Sequence, residues 1–90
     1  MKDFNIIIVE DVPLELKGTE GIIASDIPEA HIIGTAPDEQ QYWKLMRAQQ
    51  PDLVLLDLGL GGSTTVGVEI CRNTKNSYPK VKVLIFTGEV

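Results

Sequence analysis

The apolar positions fall in short blocks, and their spacing alternates between two patterns along the chain. Residues 5–9, NIIIV, form a β-branched run with no apolar–polar alternation. A strand buried on both faces, as in a parallel sheet, reads this way. Residues 13–25, PLELKGTEGIIAS, follow, with Pro13 suited to a first helical turn. Leu14, Leu16, Ile22 and Ile23 are expected to line one apolar stripe of that helix. Gly18 and Gly21 weaken it by about 1 kcal/mol each relative to alanine. SDIPEA at 25–30 reads as a loop and HIIGTA at 31–36 as a short strand. Asp38 can cap a helix over 39–49, in which Tyr42, Leu45 and Met46 lie at helical spacing and which Pro51 ends.

DLVLLDL at 52–58 is a second run with the character of a doubly buried strand. A loop rich in Gly, Ser and Thr is expected from 59 to 66. GVEICRNTKN at 67–76 then has Val68 or Ile70, and Cys71, available to face a core. VKVLIFTG at 81–88 reads as the last strand. The order βαβαβαβ with short connections predicts an α/β fold: a parallel sheet, helices on both faces, and right-handed crossovers.

Composition narrows the function classes. Ninety residues hold one domain at most, with a small core. The net charge is −5 and no block of Lys and Arg offsets it, so nucleic acid is not an expected partner. The longest apolar runs have the length of Ile6–Val9 or Leu53–Leu56, too short to span a bilayer, and no signal-peptide pattern opens the chain. A cytoplasmic domain or a cation binder fits this balance. The single cysteine, Cys71, excludes an internal disulfide and a multi-cysteine metal site, and its plain reading is a small buried hydrophobe.

In open α/β sheets, ligand sites gather beyond the carboxyl ends of the strands. There the first strand ends in Glu10-Asp11, the third at Asp57 and the fourth at Thr87-Gly88. Three close carboxylates repel one another unless a cation is present. Mg²⁺ is the natural choice, because it accepts one or two carboxylates, carbonyl oxygens and water. An aspartate beside such a cation can attack phosphorus to form an aspartyl-phosphate. Each residue also has a plainer reading alone: Asp11 as a helix cap, Asp57 as a turn residue before glycine, Thr87 as an ordinary strand residue. The argument for a site is their coincidence at three strand ends.

IIIVED, PDLVLLDL and VLIFTG, in that order, resemble the receiver domain of two-component response regulators. Gly67-Val68-Glu69 resembles the Gly-x-Glu that opens the third helix of that family. The resemblance implies a flavodoxin-like sheet of order 2-1-3-4-5 and a domain lacking its last βα portion, so that residues 1–90 make a single, partial receiver domain. It implies that Asp57 accepts a phosphoryl group from a sensor histidine kinase or a phosphotransfer protein. Asp11 and Asp57 would ligate Mg²⁺, Glu10 would assist through water, and the Gly59 carbonyl would complete the protein ligands. Thr87 would be the switch hydroxyl, and Gly88 would leave room for the phosphoryl donor. Such a domain is not an enzyme beyond its own phosphorylation and dephosphorylation.

Two departures stand out. Leu60 can fill the family's hydrophobic position after the phospho-acceptor, but Gly61 stands where proline is expected, in a loop about two residues longer. That loop is expected to be more flexible. The chain also stops at Val90, before the fifth strand and its lysine. An apolar edge over residues 81–88 is then expected to pair with another chain. The alternative function is a degenerate receiver serving as an interaction or dimerisation module without phospho-switching.

Other readings fit less well. GLGGSTT at 59–65 follows a strand, but residue 62 is Gly where a P-loop needs Lys, and Thr64 breaks a G-x-G-x-x-G match. An acid-nucleophile phosphatase wants a second Asp where Gly59 stands. His31 reads as a solvent-facing or satisfied histidine, Tyr42 and Trp43 as packing residues, and Lys75, Lys80 and Lys82 as a solvated basic patch.

Overall fold

The computed structural model describes residues 2–62 and 64–86. Four strands form one parallel sheet: β1 (Phe4–Val9), β2 (Ala30–Ala36), β3 (Leu53–Asp57) and β4 (Lys82–Phe86). β1 pairs with both β2 and β3, and β3 with β4, giving the order β2-β1-β3-β4. The sequence order turns back at β1, which stands between its two successors. The carboxyl ends of β1 and β3 therefore flank a topological switch point, where α/β sheets place their ligands.

The alternation of side chains along each strand feeds two cores. Ile7, Val9, Val54 and Leu56 point to one face, where they meet Tyr42 and Met46 of α2 (Glu39–Ala48) and Ile70 of α3 (Thr64–Ser77). Ile6 and Ile8 point to the other, against Ile23 of α1 (Pro13–Asp26). This two-sided burial is why β1 has no polar position among its last four residues. Asp38 caps α2 as expected, its carboxylate accepting the Gln41 N–H at 2.9 Å. Among the described residues no helix is long and apolar enough to cross a membrane.

Three expectations are corrected. The apolar stripe of α1 does not hold together: Ile23 is buried and Leu16 packs beside it, while Leu14 and Ile22 are 80% and 60% exposed. Residues 16 and 23 are seven apart and share a helical face, whereas residue 14 lies across the helix from residue 16. Cys71 is half-buried rather than buried, because Ile70 takes the core-facing position and Val68 faces out. The segment 59–66 is also not one open loop. A tight turn with positive φ at Gly61 covers Leu60–Gly62 and α3 already begins at Thr64. Buried Leu60 anchors that turn in the core. Gly67 lets α3 sit against the end of β3, since a Cβ there would lie 2.9 Å from the Leu58 carbonyl oxygen. The last strand is described to Phe86, and residues 87 and 88 of the expected strand lie outside the described residues.

Candidate functional site

The backbone ladders run one step past the strands and so fix where the acidic side chains leave the sheet. The Glu10 N–H donates to the Ala36 carbonyl at 3.0 Å, continuing the β1–β2 ladder. The Leu58 N–H donates to the Phe86 carbonyl at 2.7 Å, holding the turn after Asp57. Glu10, Asp11 and Asp57 are thereby brought together, each offering one carboxylate oxygen within 4.8 Å of the others. Glu10 and Asp57 are 2% and 5% exposed, and Asp11 is exposed. Gly59 lies two residues beyond Asp57 on the same rim. Thr87 and Gly88, the remaining expected site residues, lie outside the described residues.

Each carboxylate is held differently. One oxygen of Glu10 accepts the Val12 N–H at 3.2 Å, at the entrance to α1. Its other oxygen, Oε1, is buried with no hydrogen-bond donor among the described residues. Asp57 Oδ1 accepts the Gly59 N–H at 3.0 Å, so the turn role of Asp57 is present alongside its place in the cluster. Asp11 does not cap α1. The cap residue of that helix is Val12, with no side-chain cap bond, and Asp11 Oδ2 instead accepts the Gly61 N–H at 3.1 Å across the rim. The same turn is closed by the Gly62 N–H donating to the Gly59 carbonyl at 2.9 Å.

The electrostatics follow from this crowding. Burial pushes the Glu10 carboxyl up to about 7; the Val12 N–H opposes that rise, and neighbouring Asp57 adds to it. A proton shared between Glu10 and Asp57 would satisfy Oε1 in the absence of a cation, and a cation would satisfy it in place of the proton. The donor set is all oxygen and carries excess negative charge. It fits a hard divalent ion such as Mg²⁺, and the buried Glu10 Oε1, without a donor among the described residues, is compatible with a cation as well as with a proton.

Sequence reading missed the Asp11–Gly61 contact, because the partners are fifty residues apart. The only signal was the glycine pair Gly61-Gly62, which marks a turn needing positive φ.

Comparison with known proteins agrees with this geometry. The chain is 29% identical over 86 residues to the methanol utilization control regulatory protein MoxX of Paracoccus denitrificans, covering 96% of this chain and 38% of that protein. It is 32% identical over 82 residues to the response regulator GacA of Pseudomonas aeruginosa, covering 91% of this chain and 37% of that one. The chain thus spans well under half the length of these curated relatives. Among solved structures, it superposes on a LuxR-family two-component response regulator from Aurantimonas with a TM-score of 0.84 at 28% identity, covering 99% of this chain and 61% of that one. The receiver domain of a DNA-binding response regulator from Colwellia psychrerythraea gives 0.81 at 28% identity, with 98% and 71% covered. The family model described as the response regulator receiver domain matches residues 6–90, and with the carboxylates of β1 and β3 gathered on one rim of a β2-β1-β3-β4 sheet, the chain belongs to that family.

Proposed function

We propose that residues 1–90 act as one receiver unit in the cytoplasm, taking a phosphoryl group from the phosphohistidine of a sensor kinase or phosphotransfer protein onto Asp57. The observation that carries this reading is the buried pair Glu10 and Asp57 beside Asp11, with Glu10 Oε1 lacking a donor among the described residues. Asp57 Oδ1 is engaged by the Gly59 N–H, which leaves Oδ2 as the attacking atom. As the new P–O bond forms, the P–N bond to the donor imidazole breaks, and its electron pair leaves with the ring nitrogen. Asp11, Asp57 and the Gly59 carbonyl would hold Mg²⁺, with Glu10 assisting through water. Bound Mg²⁺ supplies the positive charge that offsets the carboxylates and the phosphoryl oxygens. Thr87 is the switch hydroxyl in this reading, and Gly88 keeps the approach open. The chain catalyses nothing beyond its own phosphorylation and dephosphorylation.

The alternative is an interaction module without switching. Its support is β4, one of the two outer strands of the sheet among the described residues, where Leu84 and Ile85 are 55% and 40% exposed. In that reading a second copy pairs along residues 81–88.

One experiment separates the two. Acetyl phosphate with Mg²⁺ is expected to add one phosphoryl group to the wild-type chain by intact-mass measurement, and none to Asp57→Asn. An unmodified wild type that sediments as a dimer would overturn the first reading and favour the second.

A further inference from the structure

The turn over Leu60–Gly62 touches two of the groups assigned to the metal, in each case through a backbone N–H of the turn. The Gly61 N–H donates to Asp11 Oδ2 at 3.1 Å, and the Gly62 N–H donates to the Gly59 carbonyl at 2.9 Å. Both glycines have positive φ, 69° and 76°, and Gly61 has ψ 14°. Gly61 is the third residue of the turn closed by the Gly59–Gly62 bond, the place where a type II turn requires positive φ. Leu60, 2% exposed, fastens the turn to the core beneath. Asp11 is itself exposed and has no other hydrogen bond among the described residues, so this bond is the one that orients its carboxylate there.

We infer that this glycine turn is the positioning frame for the cation: Gly61 orients the Asp11 carboxylate and Gly62 orients the Gly59 carbonyl. The inference rests on the Mg²⁺ reading above. A carboxylate with one oxygen held by an N–H presents the other in a set direction, and such outer partners commonly change metal affinity by about 10–100-fold. A carbonyl has two lone pairs, so the Gly59 oxygen can accept from Gly62 and still face a cation. The position of Gly61 is also where the sequence departs from the proline of the family pattern. Proline has no N–H and cannot reach positive φ, so neither the bond nor the turn is available to it.

The local space makes a clean test possible. A Cβ at Gly61 or at Gly62 would meet no heavy atom within 4 Å. Gly61→Ala therefore perturbs the backbone preference without a clash. Gly61→Asn keeps the N–H and tolerates a left-handed residue. Mg²⁺ affinity would be measured by calorimetry, with hydrogen exchange at the Gly61 amide followed by NMR. Gly61→Ala is expected to weaken Mg²⁺ binding about five- to tenfold, a backbone perturbation at the low end of outer-partner effects. Gly61→Asn is expected to stay within about twofold of wild type. In the metal-free wild type the Gly61 amide should exchange slowly, and Asp11→Ala should remove that protection.

Equal Mg²⁺ affinity in wild type and Gly61→Ala, or an unprotected Gly61 amide, overturns the inference and leaves the metal reading standing. A wild type that binds no Mg²⁺ at millimolar concentration overturns the metal reading and this inference with it. The amide measurement needs no loop variant, so a Gly61→Ala chain that fails to fold does not rescue the idea.

Discussion

Two buried polar pairs in this chain are treated in opposite ways. Between α2 and α3, the Tyr42 hydroxyl meets Thr74 Oγ1 at 2.6 Å, and both residues are fully buried. At the rim, Glu10 and Asp57 are almost as buried, yet both are carboxyl groups and one Glu10 oxygen has no donor among the described residues. Burial raises a pKa in each pair, Tyr42 to about 12 and Glu10 to about 7, and the residue's ordinary value decides which one matters near neutrality. Tyrosine is neutral at physiological pH with or without the shift, so its pair is a settled packing element. Glu10 is moved into the physiological range, so its pair stays responsive to protons. The first arrangement contributes stability, and the second gives some up where chemistry is expected.

The sharpest way to break this contrast is pH. In the folded chain Glu10 titrates near 7 rather than at its usual 4.5. Between those values the folded state binds more protons at this site than the unfolded state. Its contribution is therefore fully present below about pH 4.5 and is lost as pH rises through about 7. The loss is at most about 3.5 kcal/mol, from about 1.4 kcal/mol per pKa unit. A thermal melt should show Tm falling between pH 5 and 8, by up to roughly 10 °C or more for a domain of this size. Glu10→Gln should flatten that slope. Millimolar Mg²⁺ should restore Tm at pH 8 and do little at pH 5, where the proton already occupies the cluster. A wild-type Tm that is level across this range would contradict the buried-acid account.

The same contrast explains what could be read in advance. Ile6–Val9 announced a doubly buried strand because burial on both faces removes polar alternation. Asp38 announced its cap because the interaction spans only three residues. The strand ends followed from those elements, so Glu10, Asp11 and Asp57 could be placed on one rim. Contacts between distant segments were not legible. Nothing near Asp11 in the sequence points to Gly61, and its position before α1 made the cap reading natural. Thr74 looks like a surface residue of a polar helix until α2 brings the Tyr42 hydroxyl to it. The exposed Leu14 and Ile22 misled for a related reason: α1 has so little amphipathic character that the sheet alone selects its buried face.

A second, smaller break is in the settled pair. Tyr42→Phe leaves Thr74 Oγ1 buried without its partner and should cost about 1–2 kcal/mol in urea unfolding. The double change Tyr42→Phe with Thr74→Val removes both polar atoms and should recover part of that loss. Mg²⁺ affinity should not move in either variant. A double variant less stable than Tyr42→Phe by the full cost of Thr74→Val alone would mean the two groups are uncoupled.

The smallest effect is expected where pairing is geometrically as good but solvent is present. His31 Nε2 lies 3.0 Å from Asp3 Oδ2, closer than the 3.2 Å of Glu10 to the Val12 N–H. The two side chains are 51% and 70% exposed. Water screens such a pair, and both side chains lose freedom in holding one geometry, so Asp3→Asn should change stability by no more than about 0.5 kcal/mol. Raising the salt concentration should shrink even that. A loss comparable to Tyr42→Phe would mean that distance alone ranks these contacts. The prediction is that burial ranks them, because a polar group removed from water has no substitute partner when its own is taken away, and an exposed one does.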